Sequence, residues 1–143
     1  MGLDMYLSGY KYLWRDDDTR QKVKKQLKSS YDPKYVVLEL LYWRKANAIH
    51  KWFVDNVQEG EDDCKEHLVS INDLKQLLSV VNSVLQDTSL AEQLLPPVVG
   101  FFFGSTAVDE WYWKDLEYTR DRLNELLSSP DIEELDIYYQ SSW

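Results

Sequence analysis

The apolar residues of this chain follow two different spacings, and the change between them constrains the fold more than any other feature. Near both ends, at positions 3–7 and 135–139, they recur at every second residue, as in a half-buried β-strand. Between the ends they recur at intervals of three and four, the period of a helix with one buried face. The sequence therefore predicts an α+β fold in which three main helices pack against a small antiparallel sheet.

The sheet is expected to consist of an N-terminal β-hairpin and a C-terminal strand. Residues 3–15 contain two runs of period two on either side of Ser8 and Gly9, which are residue types of tight turns. The alternation over 135–140 predicts the last strand, which continues into residues 141–143, and residues 67–69 predict a short one. These segments together predict a sheet built mainly from the two ends of the chain.

Three longer stretches have the apolar spacing of helices, at 36–57, 70–87 and 107–127. The second begins with Ser70 and Asp73, which have the spacing of a capping box with Asp in place of the usual Glu. We expect these three helices to supply most of the core that covers the sheet.

Three shorter segments give weaker signals. Residues 19–28 predict a short helix capped by Asp18, and residues 88–95 predict a further helical turn before two prolines stop it. Residues 98–103 predict a buried strand or an extended segment. The chain has 143 residues and no linker rich in Gly, Ser or Pro, so we expect a single domain over 1–143.

The cysteine content and the N-terminus indicate where the protein acts. Cys64 is the single cysteine of the chain, so it cannot form an internal disulfide. Residues 1–4 lack the basic and apolar regions of a signal peptide, and the longest apolar run, at 98–103, is too short to span a bilayer. We expect a protein of a reducing compartment such as the cytoplasm, with no membrane partner, no metal and no cofactor.

The charge is unevenly distributed along the chain. The net charge is −9, but residues 1–52 carry 11 Lys and Arg against 6 Asp and Glu, whereas residues 53–143 carry 5 against 19. Two interpretations are open: the two parts pair with each other across the fold, or the basic part lines a site for an anionic ligand. The overall acidity argues against non-specific binding to nucleic acid, which needs a positive surface.

The predicted second helix carries the strongest candidate binding residues. On a helix, Arg44, Asn47 and Lys51 project from one face, with His50 beside them. Cations of this kind bind phosphate or carboxylate, and a Trp ring stacks on other rings. An Asn amide forms hydrogen bonds with another amide or with the edge of a base. The alternative is a solvated helix face with one histidine at its boundary. The candidates in this segment are Trp43, Arg44, Asn47, His50 and Lys51.

A second candidate site is the turn before the last long helix, where Gly104 is followed by Ser105 and Thr106. A turn of glycine and hydroxyl residues at a helix start leaves backbone N–H groups that bind anions. The full phosphate-loop pattern is absent. The alternative is that Ser105 or Thr106 only caps the helix, with Asp109 or Glu110 completing a capping box.

The residues after this turn combine acids with aromatic rings. Asp109 and Glu110 could hold a metal or act as acid and base, but neighbours on a helix point about 100° apart, and acids in a first turn also suit the helix dipole. The aromatic residues that follow are expected in the core or in a pocket wall, and we assign Trp111 to the ligand site. Trp143, the last residue, is expected to pack onto the body of the protein or to lie in a self-association surface.

Several of these segments together resemble a family of small bacteriophage proteins that carries no assigned activity. The matching segments are GLDMYL at 2–7, YWRKANAIHKWFV at 42–54, GFFFGST at 100–106, DEWY at 109–112 and YYQSSW at 138–143. The resemblance spans nearly the whole chain, apart from residues 15–35 and 86–95. It implies a phage origin and action in the cytoplasm of a bacterial host.

Three functions follow as hypotheses. The first is an anti-defence protein that sequesters an anionic, nucleotide-like small molecule without cleaving it. The second is an inhibitor of a host defence or metabolic protein through an acidic, aromatic surface, and the third is a small nucleotide-processing enzyme that uses Asp109 or Glu110. A homo-oligomer is a further expectation. The first hypothesis requires the cations of the second helix and the start of the last helix to meet around one cavity.

Overall fold

The described residues of the computed structural model, 2–100 and 106–143, form an antiparallel sheet covered by helices, which confirms the predicted α+β class. The four strands are β1 (Asp4–Tyr12), β2 (Tyr35–Arg44), β3 (His67–Leu68) and β4 (Asp136–Ser142), in the order β2-β1-β4-β3. The helices are α1 (Asp18–Gln26), α2 (Asn47–Asn56), α3 (Ile71–Gln86), α4 (Ala91–Leu94) and α5 (Glu110–Ser128). Among the described residues no helix is long and apolar enough to cross a membrane.

The core lies between one face of the sheet and the helices. Strand β1 is central and pairs with β2 and β4 on its two sides, so Met5 lies opposite Trp43 and Ser141. Alternate residues of β1 are buried, as the period of two predicts. Helices α3 and α5 pack against each other, and Phe53 of α2 stacks flat on Tyr139 of β4 with ring centroids 3.9 Å apart.

Several sequence predictions of local structure are confirmed. Helix α3 begins with the predicted capping box, in which Ser70 and Asp73 each accept from the other's backbone N–H. The short strand β3, the helical turns before the two prolines and the last strand β4 all occur within the predicted ranges. Helix α1 is also present, but Asp17 caps it instead of Asp18.

The predicted N-terminal hairpin is wrong, because residues 4–12 form one continuous strand. Gly9 lies inside that strand, where a Cβ atom would come within 2.9 Å of Leu135 Cδ1 and 3.2 Å of Leu40 Cδ1. The glycine therefore lets the side chains of Leu135 and Leu40 approach the strand closely and does not form a turn. The pairing with β2 shifts register between Leu7 and Ser8, which leaves Leu40 as the extra residue of a β-bulge.

The predicted second helix is wrong over its first half. Residues 35–44 form strand β2, and α2 begins only at Asn47. The stretch is rich in β-branched and aromatic residues, which favour a strand, and Leu41 and Trp43 are buried at a spacing of two. The apolar spacing of three and four over 36–57 therefore combined the residues of strand β2 with those of helix α2, and it did not indicate one continuous helix.

The start of the last helix also differs from the prediction. Helix α5 begins at Glu110, and Asp109 caps it by accepting from the backbone N–H of Tyr112. The cap is thus an acid, and Thr106 lies outside the helix. Of the predicted extended segment, residues 98–100 lie outside any strand, and residues 101–103 lie outside the described part of the chain.

Candidate functional site

A cavity of about 580 Å³ lies between the corner that joins β2 to α2 and the first two turns of α5. The corner contributes six consecutive residues, 44–49. The segment before α5 and α5 itself contribute Ala107, Asp109, Trp111, Tyr112, Asp115 and Leu116. The volume lies in the range of sites for small molecules and cofactors.

The corner presents the N-terminus of α2 to this cavity. Strand β2 ends at Arg44, and Lys45, between the strand and α2, takes a left-handed conformation with φ of 58°. The N-cap residue is Ala46, which supplies no side-chain hydrogen bond to the first turn. Because Ala48 and Ile49 of that turn line the cavity, a helix end without a side-chain cap faces the cavity.

Two cations, Arg44 and Lys45, stand beside this helix end. Both side chains are exposed and both residues line the cavity. Within residues 2–100 and 106–143 neither of them forms an ion pair, whereas Lys51 and Lys114 pair with carboxylates on their own helices. The corner therefore combines a positive helix end with two cations that form no ion pair with the described residues, although Asp4 lies opposite Arg44 in the pairing of β1 with β2.

The opposite wall belongs to α5 and carries aromatic rings. Tyr112 is buried and donates its hydroxyl to the carbonyl of Leu95 at 2.7 Å, and burial raises the pKa of its phenol to about 12. Trp111 is 69% exposed, and Lys114 Nζ lies 4.9 Å from the centroid of its ring. Tyr112 therefore fixes the wall, while Trp111 offers a flat apolar surface at the entrance.

The same wall carries the half-buried acid Asp115. Burial, and to a smaller extent the charge of Asp109, raises the pKa of its carboxyl to about 7. Among the described residues its carboxyl oxygens have no hydrogen-bond partner and no ion pair. Asp115 therefore changes charge near neutral pH inside a cavity that also holds cations.

The structure brings together three of the residues predicted from the sequence. Arg44, Asn47 and Trp111 all line the cavity. Asn47 also has a structural role, since its Oδ1 accepts from the backbone N–H of Val98 at 3.1 Å. Arg44 lies in a strand, so the predicted single helix face with Asn47 and Lys51 does not exist.

Trp43 is placed in the core. It is 2% exposed, its indole N–H donates to Thr119 Oγ1 at 2.8 Å, and its ring meets Phe53 edge to face. Side chains of a strand alternate between its two faces, so Trp43 is buried while Arg44 is exposed. This packing contradicts the expected stacking of Trp43 on a ligand.

His50 belongs to a buried polar network. Its Nδ1 lies 2.6 Å from the hydroxyl of Tyr139, and its Nε2 lies 2.9 Å from Asp62 Oδ2. The second oxygen of Asp62 accepts from the indole N–H of Trp143 at 3.0 Å. The network ties α2 to β4 and attaches Trp143 to the body of the protein, although its ring stays 44% exposed.

Lys51 and Thr106 are absent from the described lining of the main cavity. Lys51 pairs with Asp55 at 2.5 Å, and both line a smaller cavity of about 230 Å³ beside His50. Thr106 is exposed and is absent from the described lining of the main cavity, and Ser105 lies outside the described residues. The residues that line the main cavity therefore coincide only in part with the candidates that the sequence suggested.

Sequence reasoning missed Lys45 and Asp115 as residues of the site. A signal for Asp115 was present, because it follows Trp111 by four residues and Tyr112 by three and so shares their face of α5. Glu110, the predicted partner of Asp109, instead pairs with Lys114 at 2.7 Å on the exposed side of the helix. The acids that share the cavity are Asp109 and Asp115.

Comparison with protein-family models, with curated proteins and with solved structures finds no match to this chain. Within the described parts of the chain, no group of three or more His, Cys, Asp or Glu side chains is placed to hold a metal ion.

Proposed function

We propose that the cavity binds an anionic, nucleotide-like small molecule and holds it without cleaving it. The observation that carries this proposal is the corner at the start of α2, where a helix end without a side-chain cap, Arg44 and Lys45 all border one cavity of about 580 Å³. Each of these features favours negative charge, and together they favour a phosphate group.

The anionic group is best placed at the first turn of α2. There the backbone N–H groups of a helix start point outward and carry partial positive charge. Arg44 offers a planar fork of N–H donors that fits two phosphate oxygens, and Lys45 adds a compact charge beside it. The net charge of the whole chain is −9, so this local positive site selects a small anion over a polyanion such as duplex nucleic acid.

A ring of the ligand has a natural partner in Trp111. Stacking of a nucleobase on an aromatic side chain contributes about 1–3 kcal/mol and tolerates every base. The exposed indole lies at the edge of the same cavity as the cations, so one molecule with a phosphate and a base can reach both. The cavity thus supplies the two kinds of contact that a nucleotide needs.

The chemistry of the lining favours retention over turnover. Asp109 is engaged as the N-cap of α5, and His50 is enclosed in its network with Tyr139 and Asp62. Among the described residues that line the cavity, no nucleophile lies beside a general base. A molecule bound there would be held without being converted.

The biological setting of the proposal comes from the resemblance to small bacteriophage proteins. A phage protein that sequesters a nucleotide signal in the host cytoplasm would suppress a host defence that depends on that signal. This role requires tight binding and no catalytic group.

The direct test is calorimetry of the purified chain against a panel of cyclic and ADP-ribose-type nucleotides, followed by chromatography of the recovered ligand. We expect heat of binding with at least one member and recovery of that member intact. Absence of heat with every member at high protein concentration would contradict binding. Conversion of the ligand would instead support the nucleotide-processing alternative.

The outer face of the sheet favours a second candidate function, inhibition of a host protein. Residues that lie opposite one another in paired strands are on the same face of the sheet. The pairing of β1 with β2 and β4 thus places six tyrosines on the outer face: Tyr6, Tyr10, Tyr12, Tyr35, Tyr42 and Tyr138. Two of their hydroxyls donate to carboxylates, Tyr10 to Glu66 and Tyr42 to Asp4. Such an acidic, aromatic surface fits a partner protein with a basic surface.

The two candidates are separated by a pull-down from bacterial lysate with two variants. A host protein that binds stoichiometrically to the wild type and to Lys45→Asn, but not to a Tyr12→Ser/Tyr35→Ser double variant, would support the tyrosine face. A co-purifying nucleotide that Lys45→Asn loses would support the cavity.

A further inference from the structure

We propose that Asp115 is the specificity-determining residue of this cavity and that it binds two adjacent hydrogen-bond donors of the ligand. The inference rests on the proposed function, since it concerns the same cavity and the same ligand. The donors would lie at the opposite end of the ligand from the anionic group, because Asp115 is on α5 and the cations are on the corner before α2.

The argument begins with the separation of charge across the cavity. Arg44 and Lys45 border one side and Asp109 and Asp115 border the other, yet no ion pair joins the two sides within the described residues. A side chain that could reach across would be expected to form such a pair. A ligand with an anionic end and a donor end would satisfy both sides at once.

The state of the Asp115 carboxyl supports a ligand partner. A half-buried carboxyl without a hydrogen bond has lost part of its hydration and has gained nothing from the described residues. Tyr112 does not compensate, since its hydroxyl donates to Leu95 instead. Two N–H or O–H donors of a ligand would occupy both carboxyl oxygens and offset this cost.

Nucleotides offer two sources of such paired donors. One is the edge of guanine, where a ring N–H lies next to an exocyclic amine, and the other is the pair of ribose hydroxyls. The edge of adenine differs, because it presents one donor next to one acceptor. It would suit the protonated form of Asp115 and not the carboxylate.

Binding of paired donors has a consequence for protons. The charged group that acts on the carboxyl is Asp109 at the start of the same helix, Arg44 and Lys45 border the other side of the cavity, and Tyr112 stays neutral. Asp115 is partly protonated near pH 7 in the free protein, since the pKa of its carboxyl is about 7. Paired donors require the ionised form, so their binding would release a proton and tighten as the pH rises towards 8.

The experiment is calorimetry in two buffers that differ in ionisation enthalpy, with guanosine, inosine, adenosine and deoxyguanosine monophosphates as probes. The proteins are the wild type, Asp115→Asn and, as a matched control on the exposed side of α5, Glu117→Gln. We expect the wild type to release protons on binding guanosine monophosphate near pH 7. We expect Asp115→Asn to lose roughly tenfold or more in affinity and to lose the proton release, and Glu117→Gln to change neither.

The probes then identify the source of the donors. A lower affinity for inosine monophosphate than for guanosine monophosphate would indicate that the guanine amine contacts Asp115. A lower affinity for deoxyguanosine monophosphate would indicate that the ribose hydroxyls contact it. Equal affinity of the wild type and Asp115→Asn, or proton uptake with a preference for adenosine monophosphate, would overturn the inference while leaving the binding function intact. If none of these probes binds but a nucleotide of the wider panel does, that nucleotide replaces them. The affinity and the proton release of Asp115→Asn are then compared with those of the wild type.

Discussion

At the scale of single residues, Arg44 and Lys45 carry the electrostatics of the corner. Lys45 is left-handed with φ of 58°, a conformation that Asn tolerates, so Lys45→Asn removes the charge without straining the backbone. We expect Lys45→Asn and Arg44→Gln each to weaken nucleotide binding by roughly ten- to a hundredfold, since each removes a charge-assisted hydrogen bond. The measurement is calorimetric titration of each variant with the ligand that the panel identifies.

The matched control for these variants is Lys75→Gln. Lys75 is an exposed lysine on α3, away from the cavity lining. Its loss changes the net charge by the same amount and should leave the affinity unchanged. An equal loss of affinity in Lys75→Gln would show that only the overall charge matters and would contradict a defined anion site at the corner.

Asp115 gives a second prediction, which concerns stability and needs no ligand. Its carboxyl has a pKa of about 7 in the folded chain, above the value of about 4 in an unfolded chain. The folded state thus loses stability as the pH rises from about 4 to 7. Asp115→Asn should raise the free energy of unfolding at pH 8 by roughly 1–3 kcal/mol, allowing for the partial exposure of the side chain, and should have little effect at pH 4.

Urea unfolding of the wild type, Asp115→Asn and Glu117→Gln at these two pH values measures the effect. Glu117 is exposed, so its variant should follow the wild type at both values. A stabilisation by Asp115→Asn that is as large at pH 4 as at pH 8 would show that the carboxyl is not the cause.

The residues of the site were only partly predictable from the sequence. Residue type identified Arg44, Asn47 and Trp111, because cations, amides and exposed aromatics are candidate ligand contacts whether they lie in a helix, a strand or a loop. The prediction for Trp43 was wrong because the direction of its side chain depends on whether the residue lies in a helix or in a strand. Asp115 was missed although it shares a helix face with Trp111, because the burial that mainly raises the pKa of its carboxyl depends on packing, which the sequence does not show.

At the scale of elements, the capping box of α3 was predicted correctly because it depends on local spacing alone. We expect Ser70→Ala to lower the free energy of unfolding by about 1 kcal/mol, the usual cost of losing an N-cap. Ser79→Ala, on the exposed middle of the same helix, should cost less than half as much. Urea unfolding of both variants decides the point, and equal effects would contradict a stabilising role of the cap.

The two failures at this scale have a common cause. In β2, the apolar spacing fitted a helix as well as a strand, and pairing with β1 decided the outcome. At Gly9, the local signal for a turn was overridden by the pairing of β1 with β2 and β4, and the side chains of Leu135 and Leu40 approach the position closely. Contacts between distant parts of the chain settled both cases, and a local pattern does not record them.

At the scale of the whole molecule, the expected meeting of the basic segment and the start of the last helix holds only in part. Arg44 borders one cavity together with Ala107, Asp109 and the first turns of α5, whereas Lys51 and Thr106 are absent from its described lining. The anion-binding helix end, however, is that of α2, because Asp109 caps α5 and places a negative charge at its start. The basic segment thus contributes both the cations and the helix dipole, while α5 contributes rings and acids.

The central claim is that an anionic ligand binds at the start of α2, and nuclear magnetic resonance of the backbone amides tests it most directly. In a titration of the isotopically labelled chain with the nucleotide that the panel identifies, we expect the largest shifts at Ala48 and Ile49, with further shifts at the indole N–H of Trp111. Largest shifts at the tyrosines of the outer sheet face, with Ala48 and Ile49 unchanged, would contradict the claim.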